Sequence, residues 1–223
     1  MSIVLVVAPH PDDETLGCGG TLLRHHDKGD ETHWLIVTSI SEDVGYSKNE
    51  IDRRKTEIND VAESYGFKSV TQAGFNTTML DKVSKKELIS LVSDVFNQIK
   101  PDTIYMPYRN DIHTDHGEVF DAVASCTKSF RFPFIRKVRV YETLSETEFS
   151  MRTDDKGFRP NLWIDITLYL DKKIEIMKLY KNEIKNHPFP RSEQNIRALA
   201  TLRGSTINVN FAESFITLKE SIQ

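Results

Sequence analysis

The stretch Ile3-Val4-Leu5-Val6-Val7-Ala8-Pro9-His10-Pro11-Asp12-Asp13-Glu14 decides the fold. Its first six residues are apolar and rich in β-branched side chains, which reads as a short buried strand ending at Pro9 and Pro11. Chemistry-bearing residues begin where that strand stops. Asp13-Glu14-Thr15-Leu16-Gly17 then opens a helix whose acidic first turn suits the positive end of the helix dipole, continuing to about residues 26–28 with Gly29 as the stop.

Working outward, a second strand is expected over residues 32–38, followed by a polar loop over 39–47 that carries Gly45. Ile51, Ile58, Val61, Ala62 and Tyr65 recur at helical spacing over residues 50–65, and Gly66 ends that helix. Residues 68–75 read as a strand, 84–100 as a helix and 103–107 as a strand, joined by short turns. Alternation of this kind predicts an α/β fold with a mostly parallel sheet and helices on both faces, with ligands outside the carboxyl ends of the strands. The C-terminal third reads as strands over 138–141 and 162–166, a long helix from about 169 to 185 ended by His187-Pro188-Phe189-Pro190, a helix over 193–202 ending at Gly204, and helix again over 212–219. No linker, repeat or low-complexity segment interrupts the chain. A single domain over 1–223 is therefore expected, with residues from about 140 onward shaping a pocket.

Composition narrows the function classes. With 39% hydrophobic residues the chain can build a sizeable core, and a net charge of −4 offers no general attraction to nucleic acid or anionic membranes. Cys18 and Cys126 lie far apart without metal-type pairing, so no disulfide framework or thiolate zinc site is expected and a reducing cytoplasm fits. The apolar start lacks a basic flank and no apolar run is long enough to span a bilayer, so neither a signal peptide nor a membrane anchor is expected.

Two segments carry the chemistry. His10 and Asp13 sit three positions apart on a constrained loop and can offer nitrogen and oxygen to one metal ion. His113-Thr114-Asp115-His116 supplies two more imidazoles, which share a face if a helix begins there. A His/Asp/His set with one open position is the pattern of catalytic zinc sites, and it leaves Asp12 and one histidine for proton transfer and carbonyl polarisation. These are the parts of an amide hydrolase. The bland reading of Asp12-Asp13 is a helix cap, and of a lone histidine a surface residue. Two such segments at adjacent strand ends favour a site.

The two segments resemble the signature of the LmbE-like (PIG-L) N-deacetylase family, a first-strand His-Pro-Asp-Asp-Glu followed by His-Pro-Asp-His, here with Thr114 in place of the second proline. Arg53-Arg54-Lys55-Thr56-Glu57 resembles the family's Arg-rich segment, and Arg203-Gly204 with Ala212-Glu213-Ser214-Phe215 resembles its C-terminal one. The resemblance implies a Rossmann-like fold and a zinc or iron centre, at which an activated water hydrolyses an N-acetyl group of an amino sugar or glycoconjugate. Carried over, His10, Asp13 and His116 are the metal ligands and Asp12 the general base. His113 becomes the cation that stabilises the oxyanion, with Asp115 as its orienter and a raised imidazole basicity. Arg53 is expected to contact substrate. Arg109 is expected either to meet an anionic substrate group or to pair with a surface carboxylate.

Glu14 belongs to the motif and suits the helix N-terminus, Asp111 is expected either to support the site from behind or to form a turn, and His25, His26, His33, His187 and Cys18 are assigned no chemistry. A small-molecule amino-sugar substrate is the expected partner, and a homo-oligomer suits such a fold. An amidase on another acyl group uses the same chemistry. A Mg²⁺-binding receiver-like signalling domain would share the acidic strand end, but imidazole ligands argue against it. A catalytically dead binding module is opposed by the intact Asp12 and His113.

Overall fold

In a computed structural model, which describes residues 1–151 and 156–222, the run Ile3–Ala8 forms β1, an interior strand of a seven-stranded sheet. The chain continues through α1 (Asp13–Asp27), β2 (Glu31–Ser39), α2 (Lys48–Tyr65), β3 (Ser69–Asn76), α3 (Lys85–Ile99), β4 (Thr103–Met106), α4 (Thr114–Ser125) and β5 (Lys137–Tyr141). Then follow β6 (Leu162–Asp165), α5 (Leu170–Met177), α6 (Glu193–Ser205) and β7 (Ala212–Glu220). The strand order is β3-β2-β1-β4-β5-β7-β6, with the first five mutually parallel and β7 antiparallel to both of its neighbours.

The alternation of side chains along β1 splits the core in two. Val4, Val6 and Ala8 pack with Leu16 and Leu22 of α1, Ile58 and Val61 of α2, and Ile174 and Ile196 of α5 and α6. Leu5 and Val7 face the other way, against Leu88, Val92 and Phe96 of α3 and Val119 and Val123 of α4. A strand covered on both faces must be apolar along its whole length, and that is why Ile3–Ala8 shows no polar alternation. Because β1 leads to β2 on one side and the chain later returns to β4 on the other, the crevice between the carboxyl ends of β1 and β4 is the topological switch point. Both motifs lie there.

Two expectations for the C-terminal third are corrected. Residues 212–219 form β7 rather than a helix: Phe215 is fully buried, and the segment fills the gap between β5 and β6, so the partner strands override a spacing that also fits a helix. The helix expected from 169 to 185 ends at Met177. Tyr180 then turns inward, fully buried, where its hydroxyl donates to Glu14 Oε1 at 2.9 Å. That early stop brings Asn182 and Glu183 to the pocket wall.

The β7 segment also sustains a break in α1. Cys18 leaves the helical region with φ −145° and ψ 22°, which frees backbone N–H groups in the next turn. Glu213 accepts from Gly20 N at 2.9 Å and Thr21 N at 2.7 Å, and its carboxylate also pairs with the buried Lys173 ammonium at 2.7 Å. At the same helix Gly17 lies against the Tyr141 ring, which leaves no room for an added Cβ. Glu213→Ala strips two N–H groups of their acceptor and leaves a buried ammonium unpaired, so it is expected to lower unfolding free energy by about 3 kcal/mol, read from urea denaturation. A change within error of zero would remove this account of the segment.

Candidate active site

The loop between β1 and α1 is locked by short-range hydrogen bonds. Thr38 holds Pro9 O through both its N–H (2.9 Å) and its hydroxyl (2.8 Å), fixing the end of β1 against β2. The His10 N–H donates to Asp13 Oδ2 at 2.8 Å, which folds the carboxylate back towards the imidazole. Asp12 sits between them at φ 134°, a conformation that costs a non-glycine residue of the order of 1–3 kcal/mol. Its N–H is taken by Glu14 Oε2 at 3.0 Å. Glu14 is thus the inner strut of the strained turn. Burial pushes its carboxyl up to about 7, against the hydrogen bonds it accepts from Thr15, Tyr180 and Asp12.

His113 caps α4, its Nδ1 accepting the Asp115 N–H at 3.2 Å, so the helix does begin inside the second motif. One helical turn then brings His116 to the first motif. His116 Nε2 and His10 Nδ1 each lie 3.3 Å from Asp13 Oδ2, and the three donor atoms are close enough to share one ion. Each imidazole has a carboxylate on its other nitrogen: His10 Nε2 donates to Asp115 Oδ2 at 3.1 Å, and His116 Nδ1 to Asp111 Oδ2 at 2.7 Å. Asp111 is held in turn by the Thr147 hydroxyl at 2.7 Å. Imidazole ligands of metals are ordinarily supported in this way.

The residues present fit a cation. His116 is fully buried, and its Nε2, 3.3 Å from Asp13 Oδ2, has no hydrogen-bond partner among the described residues. Electrostatics agree: burial works against the Asp13 carboxylate, yet the two imidazoles hold it below the usual carboxylate range, so negative charge is favoured there. Burial likewise opposes a charged His10, but its bonds to Asp115 and Asp13 carry it up to about 9. Asp12 is the contrasting acid. Burial and the neighbouring Asp13 push it well above its ordinary value, with Arg191 pulling the other way.

The expected His113–Asp115 dyad is not formed. The Asp115 carboxylate accepts from His10 Nε2 and from the backbone N–H groups of Thr78 (2.8 Å) and Leu80 (3.2 Å), and stands 4.0 Å from His113 Nδ1. Burial, with His10 and His116 close by, pushes His113 down to about 4, opposite to the expected rise in basicity. Arg109 lies outside the pocket over these groups: half-exposed, it donates to Asp121 at 2.7 Å, the surface-carboxylate alternative, and lines a neighbouring depression that His113 also borders. Arg53 does line the pocket, with a loose contact of 3.6 Å to Glu57.

The pocket over these groups measures about 360 Å³, within the range for a small ligand. Its wall holds residues that the sequence did not mark. Arg54, on α2 behind the Ser47/Glu50 capping box, donates to Pro11 O at 2.9 Å and pairs with Glu183. Arg191 reaches Asp12 Oδ2 at 2.7 Å and Glu183 Oε2 at 3.1 Å. Glu146 and Thr143 close the side beyond β5. No local pattern announces an arginine 179 positions from its partner; the run His187-Pro188-Phe189-Pro190 just before it marks only the end of a helix.

The structure is a Rossmann-like α/β sheet with a His/Asp/His cluster that could hold a metal ion at its switch point, beside a second buried carboxylate, Asp12. The model of the family PIG-L, GlcNAc-PI de-N-acetylase, matches residues 5–127, and the chain belongs to that family. It is 23% identical over 220 residues to the diacetylchitobiose deacetylase of Thermococcus kodakarensis, covering 94% of this chain and 80% of that one. With a probable N-acetyl-alpha-D-glucosaminyl L-malate deacetylase 2 of Bacillus cereus it shares 30% identity over 132 residues, 54% of this chain and 58% of the relative. Among solved structures, the N,N'-diacetylchitobiose deacetylase of Pyrococcus horikoshii superposes with a TM-score of 0.75 at 22% identity, over 97% of this chain and 83% of that one.

Arg109→Ala removes a solvent-exposed pair only, and is expected to shift stability by no more than about 0.5 kcal/mol and to leave KM for any acetylated substrate unchanged. A several-fold rise in KM would return Arg109 to the site.

Proposed function

We propose that this chain is a metal-dependent hydrolase that removes the N-acetyl group from a GlcNAc-type amino sugar or glycoconjugate. The observation that carries the reading is the convergence of His10 Nδ1, Asp13 Oδ2 and His116 Nε2 beside a further pocket carboxylate, Asp12, that stands outside the donor set. The relatives named for deacetylation of chitobiose and glucosaminyl-malate substrates support the substrate class. Those three atoms would hold a divalent transition metal, zinc or iron, which supplies Lewis acidity to a water and to the acetyl carbonyl.

The rest falls to side chains. Asp12 takes the proton of the attacking water as its oxygen bonds the acetyl carbon, then returns that proton to the sugar nitrogen as the C–N bond breaks, leaving acetate and a free amine. His113 lines the pocket with Nδ1 occupied by the Asp115 N–H, so its Nε2 bears the hydrogen. It acts as a neutral donor to the developing oxyanion. Asp115 and Asp111 orient the two ligand imidazoles, and Arg53 at the pocket wall is the substrate-contacting cation. Among the described residues no helix is long and apolar enough to cross a membrane. Cys18 and Cys126 are both buried free thiols, which supports residence in a reducing cytoplasm.

Acetate release from a panel of N-acetylated glucosamine derivatives tests the reading. The wild type is expected to turn over at least one of them and to lose activity on chelation. Asp12→Ala is expected to lower kcat by about 10²- to 10⁴-fold while retaining metal. His116→Ala is expected to lose the metal, and Asp111→Asn to weaken its binding by about 10- to 100-fold, measured by competitive titration. Full activity in Asp12→Ala, or unchanged metal content in His116→Ala, contradicts the assignments.

A further inference from the structure

Behind Asp12 runs a chain of alternating charge that the deacetylase reading does not use. Glu57 on α2 lies 3.2 Å from Arg54 Nε. Arg54 pairs with Glu183 Oε1, and the other oxygen of Glu183 lies 3.1 Å from Arg191 Nη1. The same Arg191 nitrogen reaches Asp12 Oδ2 at 2.7 Å. The ladder also touches the motif backbone, because Arg54 donates to Pro11 O at 2.9 Å, one residue before the strained Asp12. Its two arginines rest on aromatic rings, Arg54 near Tyr180 and Arg191 near Phe189.

The two arginines differ from Arg53. Each has a carboxylate partner within hydrogen-bond distance, so neither is the group first available to a substrate anion. Arg191 engages a single oxygen of Asp12. A carboxylate gripped at Oδ2 cannot rotate freely about its Cβ–Cγ bond, and Oδ1 becomes the oxygen presented for proton transfer. Placement matters at this scale, since a misplacement of about 1 Å can cost about 100-fold in rate.

We propose that Arg191 is the positioning residue for Asp12, braced through Glu183 and Arg54 against α2, an inference that rests on Asp12 being the base of the deacetylase. The ladder ties three segments remote in sequence, the first motif, α2 and the region from 183 to 191, into one frame. The C-terminal third thereby acts on proton transfer without touching the reacting atoms.

The test uses the metal-loaded full chain and two readouts. With a glucosamine derivative that the wild type deacetylates, Arg191→Met is expected to lower kcat by about 100-fold with KM within about threefold and metal content unchanged. Arg191→Lys is expected to recover to within about tenfold of the wild type, because a cation at that place still grips Oδ2. Added to Asp12→Asn, Arg191→Met is expected to cost nothing further, since residues acting through one group are not additive. An unchanged kcat, a rise confined to KM, or a full extra loss in the Asp12→Asn background overturns the inference.

The second readout does not need turnover. Urea midpoints of Asp12→Asn, Arg191→Met and the double variant are expected to be non-additive, the double variant losing less than the sum of the single losses. Additive midpoints overturn the pairing. If the wild type frees no acetate from any derivative, the deacetylase reading fails instead, and the midpoints alone decide whether Arg191 holds Asp12.

Discussion

The Asp13 carboxylate is the constraint around which the site is built. It is buried at the first turn of α1, accepts the His10 N–H and faces two imidazoles from motifs more than a hundred residues apart. A buried carboxylate so placed must be matched by positive charge, whether imidazolium protons or a metal cation. The surrounding structure supplies the means. β1 delivers His10 and Asp13, β4 and the start of α4 deliver His116, and Asp111 and Asp115 fix the two rings from behind.

The division of labour between adjacent acids follows from the same geometry. Asp13 is drawn into the donor set, while Asp12, turned out by a positive φ, is directed to the opposite wall and meets Arg191. Glu14, third in the run, points inward to hold the Asp12 N–H and the Tyr180 hydroxyl. Three consecutive acidic residues therefore point in three directions, to the His/Asp/His cluster, to Arg191 at the pocket wall and to the buried interior. One strained residue separates the three directions.

Much of this was legible in the sequence, for reasons that can be named. A buried parallel strand must be continuously apolar, so Ile3–Ala8 identified itself, and the helix punctuation at Gly29 and Gly66 fixed the βα alternation. The convergence of His10, Asp13 and His116 was readable because each motif packs its side chains within one turn. What local patterns missed were the elements set by distant partners. Residues 212–219 became a strand because β5 and β6 left a place for one, and the helix after β6 ended early because Tyr180 is drawn to Glu14. Asp115 serves His10 rather than His113, and Arg191 meets Asp12 across the whole chain, contacts that no spacing rule encodes.

X-ray absorption at the metal edge of the loaded protein tests the donor set most directly. The account predicts a mixed first shell with two imidazole nitrogens and carboxylate oxygen, and one imidazole fewer in His116→Ala. A first shell of oxygens alone, or a wild-type spectrum unchanged by His116→Ala, would contradict it.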